Sequence, residues 1–317
     1  MRIQNIRSEQ NDCGYRIAAT VIWEDCDRPT RDLYYEVDEA FACDLTLEPH
    51  AFLVGCLWPA FWHGEERLAI GETICPELRD GLMTNMAWLR EWSEPQRKPM
   101  RIEAKTGVRL PVQRPAERVG AFLSGGVDSL ATLRVNRLNF PLDHPRSIKD
   151  CLLVHGFDIG GLEHCGEENE IYKRTVALLS PIVEEAHTTL IPVFTNIRYL
   201  DDDVWFWIDK FFGAALASVA HVFSKRLSTV LIASGLDVPN VKPTGGASHP
   251  ILDPNYGSAE LQLRHDGVRY TRLEKVKIVA EWDTALQNLR VCTMNPPDQI
   301  NCGQCEKCIR TMLELAS

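Results

Sequence analysis

From Arg16 to Asp38 the chain alternates β-branched and aromatic residues with polar ones, in RIAATVIWED and again in LYYEVD, and this period of two predicts a pair of strands. The period then lengthens. Phe52, Leu53, Leu57 and Phe61 recur at helical spacing over Pro49–His63, and Leu78, Leu82, Met86 and Leu89 do the same over Glu77–Trp92, predicting two helices. Glu94–Arg118 carries prolines at 95, 99, 111 and 115 among many basic residues, which predicts a connection holding one short strand and a domain boundary near residue 115.

Beyond that boundary short continuous apolar runs alternate with helical patterns. VGAFL leads to a helix from Val127, CLLVHGFD to a helix near Glu167–Glu185, TLIPVFT to a long helix over Val204–Arg226, and TVLIASG follows. Asp201, Asp202 and Asp203 suit the start of that long helix, where the dipole favours acids, better than a metal patch. Strands buried on both faces and joined by helices predict a parallel sheet, with ligands at the carboxyl ends of its strands. The expected fold is therefore α/β: a doubly wound parallel sheet over 116–317, preceded by a smaller α+β region over 1–115.

Composition narrows the function classes. With 317 residues, 45% hydrophobic and 25% charged, the chain reads as an ordinary globular protein, and it has no apolar run of about 18 residues to cross a membrane. Its first residues, MRIQNIRSEQNDCGY, do not form a secretory signal, so the cytoplasm is the expected location. A formal charge of −10 argues against a broad nucleic-acid-tracking surface. In that setting eleven cysteines point to metal ligands, buried thiols or catalysis rather than a disulfide framework.

Two stretches carry chemistry. The first is AFLSGGVDSLATL, Ala121–Leu133, where a strand gives way to a helix through SGGVDS. Gly125 and Gly126 let the backbone approach an anion closely, and the helix start directs N–H groups at it. Ser124 and Ser129 can add hydroxyl hydrogen bonds, while Asp128 suits a Mg²⁺ ligand or a helix-start acid better than a phosphate contact. No lysine follows at Walker A spacing, and the alternative of a simple serine and glycine cap needs neither the second glycine nor the Asp-Ser pair. The second stretch is RVCTMNPPDQINCGQCEKC, in which Cys292, Cys302, Cys305 and Cys308 are spaced C-x9-C-x2-C-x2-C. Four thiolates can close a tetrahedral Zn²⁺ site, making a structural knuckle over 292–308; an iron–sulfur cluster lacking the usual Cys-Pro element and four unligated thiols are the alternatives.

SGGVDS after a strand resembles the signature of the PP-loop ATP pyrophosphatases, and with the cysteine knuckle it is similar to the 7-cyano-7-deazaguanine synthase branch of that superfamily. The likeness covers residues 117–317. It implies a PP-loop fold and an ATP- and Mg²⁺-dependent ligase that adenylates a carboxylate or amide oxygen, releases pyrophosphate, and then admits ammonia. On that likeness Ser124, Gly125, Gly126, Asp128 and Ser129 hold ATP, and His155 and Gly156 lie over its adenosine. Ser234 and Gly235 sit near the phosphates, and Arg272 and Lys275 neutralise them; Asp128, Ser129 and Lys275 are the catalytic candidates. His155 as a core histidine, and Arg272 with Lys275 as a solvated basic face, are the competing readings. Thr271 and Glu274 predict a capping box at the start of that helix.

The loop PTGGASHPILDP, Pro243–Pro254, offers His249 and Asp253 to a substrate, but HPILDPNY departs from the branch's purine-recognition text, so the acceptor is not named. A small molecule or a modified group on a carrier fits. Residues 1–115 lie outside the likeness and are left as a wall of that pocket or a homodimer surface. Two other functions remain open: sulfur transfer using the same adenylation, with Cys165 beside His164 as the thiol, and a non-catalytic nucleotide-binding partner protein.

Overall fold

The protein, a computed structural model in which residues 1–11, 14–107, 114, 116–159, 170–242, 248–292, 294, 296 and 299–317 are described, divides into two compact units. The first joins Met1–Glu117 to Thr195–Val230 and Val241–His265, and the second comprises Arg118–Phe194, Leu231–Asn240 and Asp266–Ser317. The chain thus enters the first unit three times, where the sequence pattern suggested one passage. None of the described helices is long and apolar enough to cross a membrane.

The first unit begins with β1 (Arg2–Asn11), β2 (Gly14–Ile22), β3 (Arg31–Val37), α1 (Pro49–Trp62), β4 (Arg67–Ile74), α2 (Pro76–Ser93) and β5 (Arg101–Thr106). Its strands run in the order β3-β2-β1-β4-β5, antiparallel among the first three and parallel from β1 through β5. β1 and β4 escape the sequence pattern. RIQNIRSEQN is mostly polar, and a bulge between Gln4 and Arg7, with Asn5 at a φ of 56°, breaks its alternation. Pairing with β2 on one side and β4 on the other makes it a strand nonetheless.

Helix α1 starts on a proline at a position that needs no N–H, and every residue from Pro49 to Phe61 is buried, so it is a core helix rather than an amphipathic one.

The second unit holds β6 (Val119–Phe122), α3 (Val127–Asn139), β7 (Ile148–His155), α4 (Glu170–Glu185) and β8 (Thr189–Thr195). β6, β7 and β8 are parallel neighbours, each joined to the next by a helix, as the alternating pattern predicts.

The long helix expected over Val204–Arg226 instead divides into α5 (Val204–Phe206), a π-helical turn (Trp207–Phe211) and α6 (Phe212–His221), which packs on α1 within the first unit. Asp203 caps its start by accepting from the N–H groups of Trp205 and Phe206, as expected of that acidic run. The edge-to-face packing of Trp207 on Phe211 and on Phe212 accompanies the π turn. The remaining elements are β9 (Thr229–Ala233), β10 (Gln262–Asp266), α7 (Arg272–Ala280), α8 (Asp283–Gln287) and α9 (Glu306–Leu315). Together the fold is α/β with a mostly parallel strand arrangement and a C-terminal four-cysteine group.

Gly81 marks one close approach. Within α2, a Cβ at this position would lie 2.1 Å from the Asn255 carbonyl oxygen. Alanine in place of a helical glycine ordinarily gains about 1 kcal/mol. Here Gly81→Ala is expected to lower stability by about 1 to 3 kcal/mol through overpacking. Urea denaturation measures this; a midpoint unchanged or raised contradicts the contact.

Candidate functional site

The turn between β6 and α3 is built from its own small side chains. Gly125 has a φ of 79°, a left-handed value that favours glycine. Gly126, at φ −78° and ψ 162°, is the residue from which α3 starts. The Ser124 hydroxyl accepts the Gly126 N–H at 3.3 Å, and the Ser129 hydroxyl donates to the Gly126 carbonyl at 3.0 Å while accepting the Ser124 N–H at 3.3 Å. Ser124, Gly126 and Ser129 thus close a ring of hydrogen bonds around the start of α3.

Two cations meet Asp128 one position before Ser129. Lys275 on α7 is only 2% exposed, and its ammonium donates to Asp128 Oδ1 at 3.3 Å and to the Ser234 carbonyl at 2.5 Å. The Arg272 guanidinium donates to Asp128 Oδ2 at 3.2 Å, to Glu314 at 3.3 Å and to the Thr311 hydroxyl at 3.3 Å. Both cations are presented by a helix whose first turn is closed by the expected capping box: Thr271 accepts the Glu274 N–H, and Glu274 accepts the Thr271 N–H. Arg272 and Lys275 are three residues apart and so share a helix face. The competing reading of a solvated basic face does not hold for Lys275, which is buried.

Ser234 and Gly235 follow β9. Ser234 serves through its backbone, giving its carbonyl to Lys275 while its hydroxyl donates to the Leu236 carbonyl at 2.6 Å. Gly235 is exposed, with open space where a side chain would be. His155 ends β7, 3% exposed, with its ring 5.0 Å from that of Tyr172 and 5.3 Å from that of Phe194. Burial pushes its pKa down to about 4, and its Nε2 has no hydrogen-bond partner among the described residues. Gly156, at a φ of 96°, turns the chain beyond it.

His249 and Asp253 belong to the first unit and form a cluster there. Asp253 is fully buried and accepts from the Ser248 hydroxyl at 2.7 Å and the His249 N–H at 3.1 Å, and it lies 2.7 Å from His265 Nδ1. Cys165 and His164, like Pro243–Ala247 of the glycine and proline loop, lie outside the described residues.

The four cysteines of the C-terminal spacing converge. The sulfurs of Cys292, Cys302, Cys305 and Cys308 all lie within 4.8 Å of one another, with Cys302 and Cys308 at 3.9 Å. A tetrahedron of thiolates around an ion at about 2.3 Å has edges of about 3.8 Å, so the cage has the size of one zinc-like ion. An iron–sulfur cluster interposes several atoms and holds its thiolates farther apart. Gly303, at a φ of 69°, makes the turn between Cys302 and Cys305, and the Gln304 and Cys305 N–H groups point at the Cys302 sulfur at 3.4 and 3.3 Å. Burial pushes Cys292 up, but N–H groups of Cys302 and Met294 and the adjacent thiols outweigh it and hold this thiol below its usual range; burial pushes Cys308 up to about 12.

Sequence reasoning passed over Arg290 and Asn301. The Arg290 N–H donates to the Gly125 carbonyl at 2.9 Å. Asn301 accepts the N–H groups of Val291 at 2.9 Å and Cys292 at 3.1 Å and donates to the Leu289 carbonyl at 2.7 Å. The sequence signal for each was nearness to a candidate ligand cysteine, Asn301 directly before Cys302 and Arg290 two positions before Cys292. Compared with known protein families and with curated proteins, the chain matches none.

Two expectations follow from this geometry. The purified protein should carry one divalent ion per chain, lost or made labile in Cys302→Ser; elemental analysis showing no metal, or the same metal in the variant, contradicts the cage. His155 stays neutral in the fold to about pH 4, whereas in the unfolded chain it protonates near 6.5, so stability falls as pH drops through that window. His155→Asn should flatten part of that slope in urea midpoints between pH 7.5 and 5; an equal slope contradicts it.

Proposed function

We propose that the second unit binds ATP with Mg²⁺ at the Ser124–Ser129 turn and transfers its adenylyl group to an oxygen of an acceptor, in the manner of the PP-loop ATP pyrophosphatases. The observation that carries this reading is the meeting of Arg272 and Lys275 at Asp128, on the first turn of a helix entered through two glycines. A structural turn needs one cap; it does not need two cations presented to it by a second helix.

In this reading the N–H groups of the turn and the Ser124 and Ser129 hydroxyls hold the terminal phosphates. Asp128 would hold Mg²⁺, which would free Arg272 and Lys275 from that carboxylate to neutralise the phosphates. That exchange places positive charge where pyrophosphate develops as the leaving group. A carboxylate or amide oxygen of the acceptor attacks the α-phosphorus, the bond to the bridging oxygen breaks, and pyrophosphate leaves. Ammonia then attacks the activated carbon, a C–N bond forms, and AMP departs with the oxygen. The acceptor is a small molecule or a group on a carrier.

The four-cysteine group is read as a closed Zn²⁺ site. Four protein ligands leave no open position, so zinc there supports the fold and does not touch the reaction.

Phosphorus NMR with Mg·ATP, ammonia and a panel of carboxylates tests the reading. AMP and pyrophosphate are expected, with Asp128→Asn lowering the rate by about 100-fold or more. ADP and phosphate, or unchanged turnover in the variant, contradict it. Tight ATP binding with no turnover across the panel favours a nucleotide-binding partner protein instead.

A further inference from the structure

The cysteine cage and the glycine turn are tied by two chains of contacts within the second unit. Asn301, next to the ligand Cys302, takes hydrogen bonds from Val291 and Cys292 and gives one to Leu289, which fixes the four-residue segment that ends on the ligand Cys292. Arg290 sits inside that segment, and its N–H holds the Gly125 carbonyl at 2.9 Å. A planar trans peptide points its carbonyl and its N–H in opposite directions. Holding the Gly125 carbonyl toward Arg290 therefore aims the Gly126 N–H the other way, to the side where the Ser124 hydroxyl meets it at 3.3 Å.

The second chain runs through α9. Its start is Cys305, its first turns carry Cys308, and three residues on Thr311 shares the buried face of Cys308. Thr311 and Glu314 hold the Arg272 guanidinium, which reaches Asp128. One contact chain thus ends on the backbone of the turn and the other on its carboxylate.

We infer that Asn301 and Arg290 are positioning residues through which the metal in the cysteine cage sets the orientation of the Gly125–Gly126 peptide, so that metal and nucleotide each strengthen the binding of the other. This inference rests on the ATP reading proposed above. Loss of the metal frees Cys292 and Cys305 at once, so both chains slacken together. Linkage then requires that a nucleotide preferring the ordered turn also prefer the metal-loaded protein, by the same factor in each direction.

The test measures Mg·ATP affinity by calorimetry on metal-loaded protein and on protein stripped by a chelator that is afterwards removed, with circular dichroism confirming that the stripped protein is folded. A weakening on the order of tenfold is expected. Zinc affinity, measured at equilibrium in competition with a chromogenic chelator, should rise by a comparable factor when ATP is present. Asn301→Ala, which leaves all four cysteines, should keep its zinc yet bind ATP more weakly, and this arm stands even if stripped protein unfolds. Equal ATP affinity in folded stripped protein, or in zinc-loaded Asn301→Ala, overturns the inference while leaving the ATP reading intact. Loaded protein that binds no ATP overturns both.

Discussion

Asp128 is held by two cations, and most of what is distinctive in the second unit exists to present them. Lys275 is nearly fully buried, so its ammonium needs a carboxylate close by, and Asp128 supplies it 3.3 Å away. α7 carries both cations on one face behind a capping box, the Ser234 carbonyl takes a second Lys275 hydrogen, and α9 steadies Arg272. The carboxylate, in turn, sits in the first turn of α3, which the chain enters through Gly125 at a φ of 79°.

Such an arrangement is suited to exchange of partners. In the proposed function a triphosphate takes over the cations and its metal ion the carboxylate, so the buried Lys275 ammonium keeps an opposite charge throughout. Among the described residues, hydrogen bonds of Arg290, Asn301, Thr311 and Glu314 connect the segments that carry the four cysteines to the same turn. In the proposed function the cysteine group and the nucleotide-binding turn are thus distinct places in the second unit, and the inferred coupling runs through the contacts between them.

What could be read from the chain followed the range of the interaction. The hydrogen-bonded turn of Ser124, Gly126 and Ser129, the Cys302–Cys305–Cys308 run and the Thr271 capping box are local, with partners a few positions away, and each forms at its place in the sequence. Most helices and the buried parallel strands announced themselves through period. β1 and β4 did not, because their pairing is supplied by neighbours and a bulge at Asn5 breaks the pattern. Nor did the return of α6 to the first unit, which depends on packing against α1, far earlier in the chain. In the site, Lys275 and Arg272 were named through resemblance alone, since nothing near them in sequence reveals a partner almost 150 positions away. Arg290 acts through its backbone, which sequence does not distinguish from any other residue's.

The most direct measurement is a crystal structure of the protein with Mg²⁺ and α,β-methylene ATP, which cannot lose pyrophosphate. The account predicts terminal phosphates against the N–H groups of the Ser124–Ser129 turn, a metal ion on Asp128, and Arg272 and Lys275 turned from the carboxylate to the phosphates. Nucleotide seated elsewhere, or Asp128 still paired with both cations at saturating nucleotide, would contradict it.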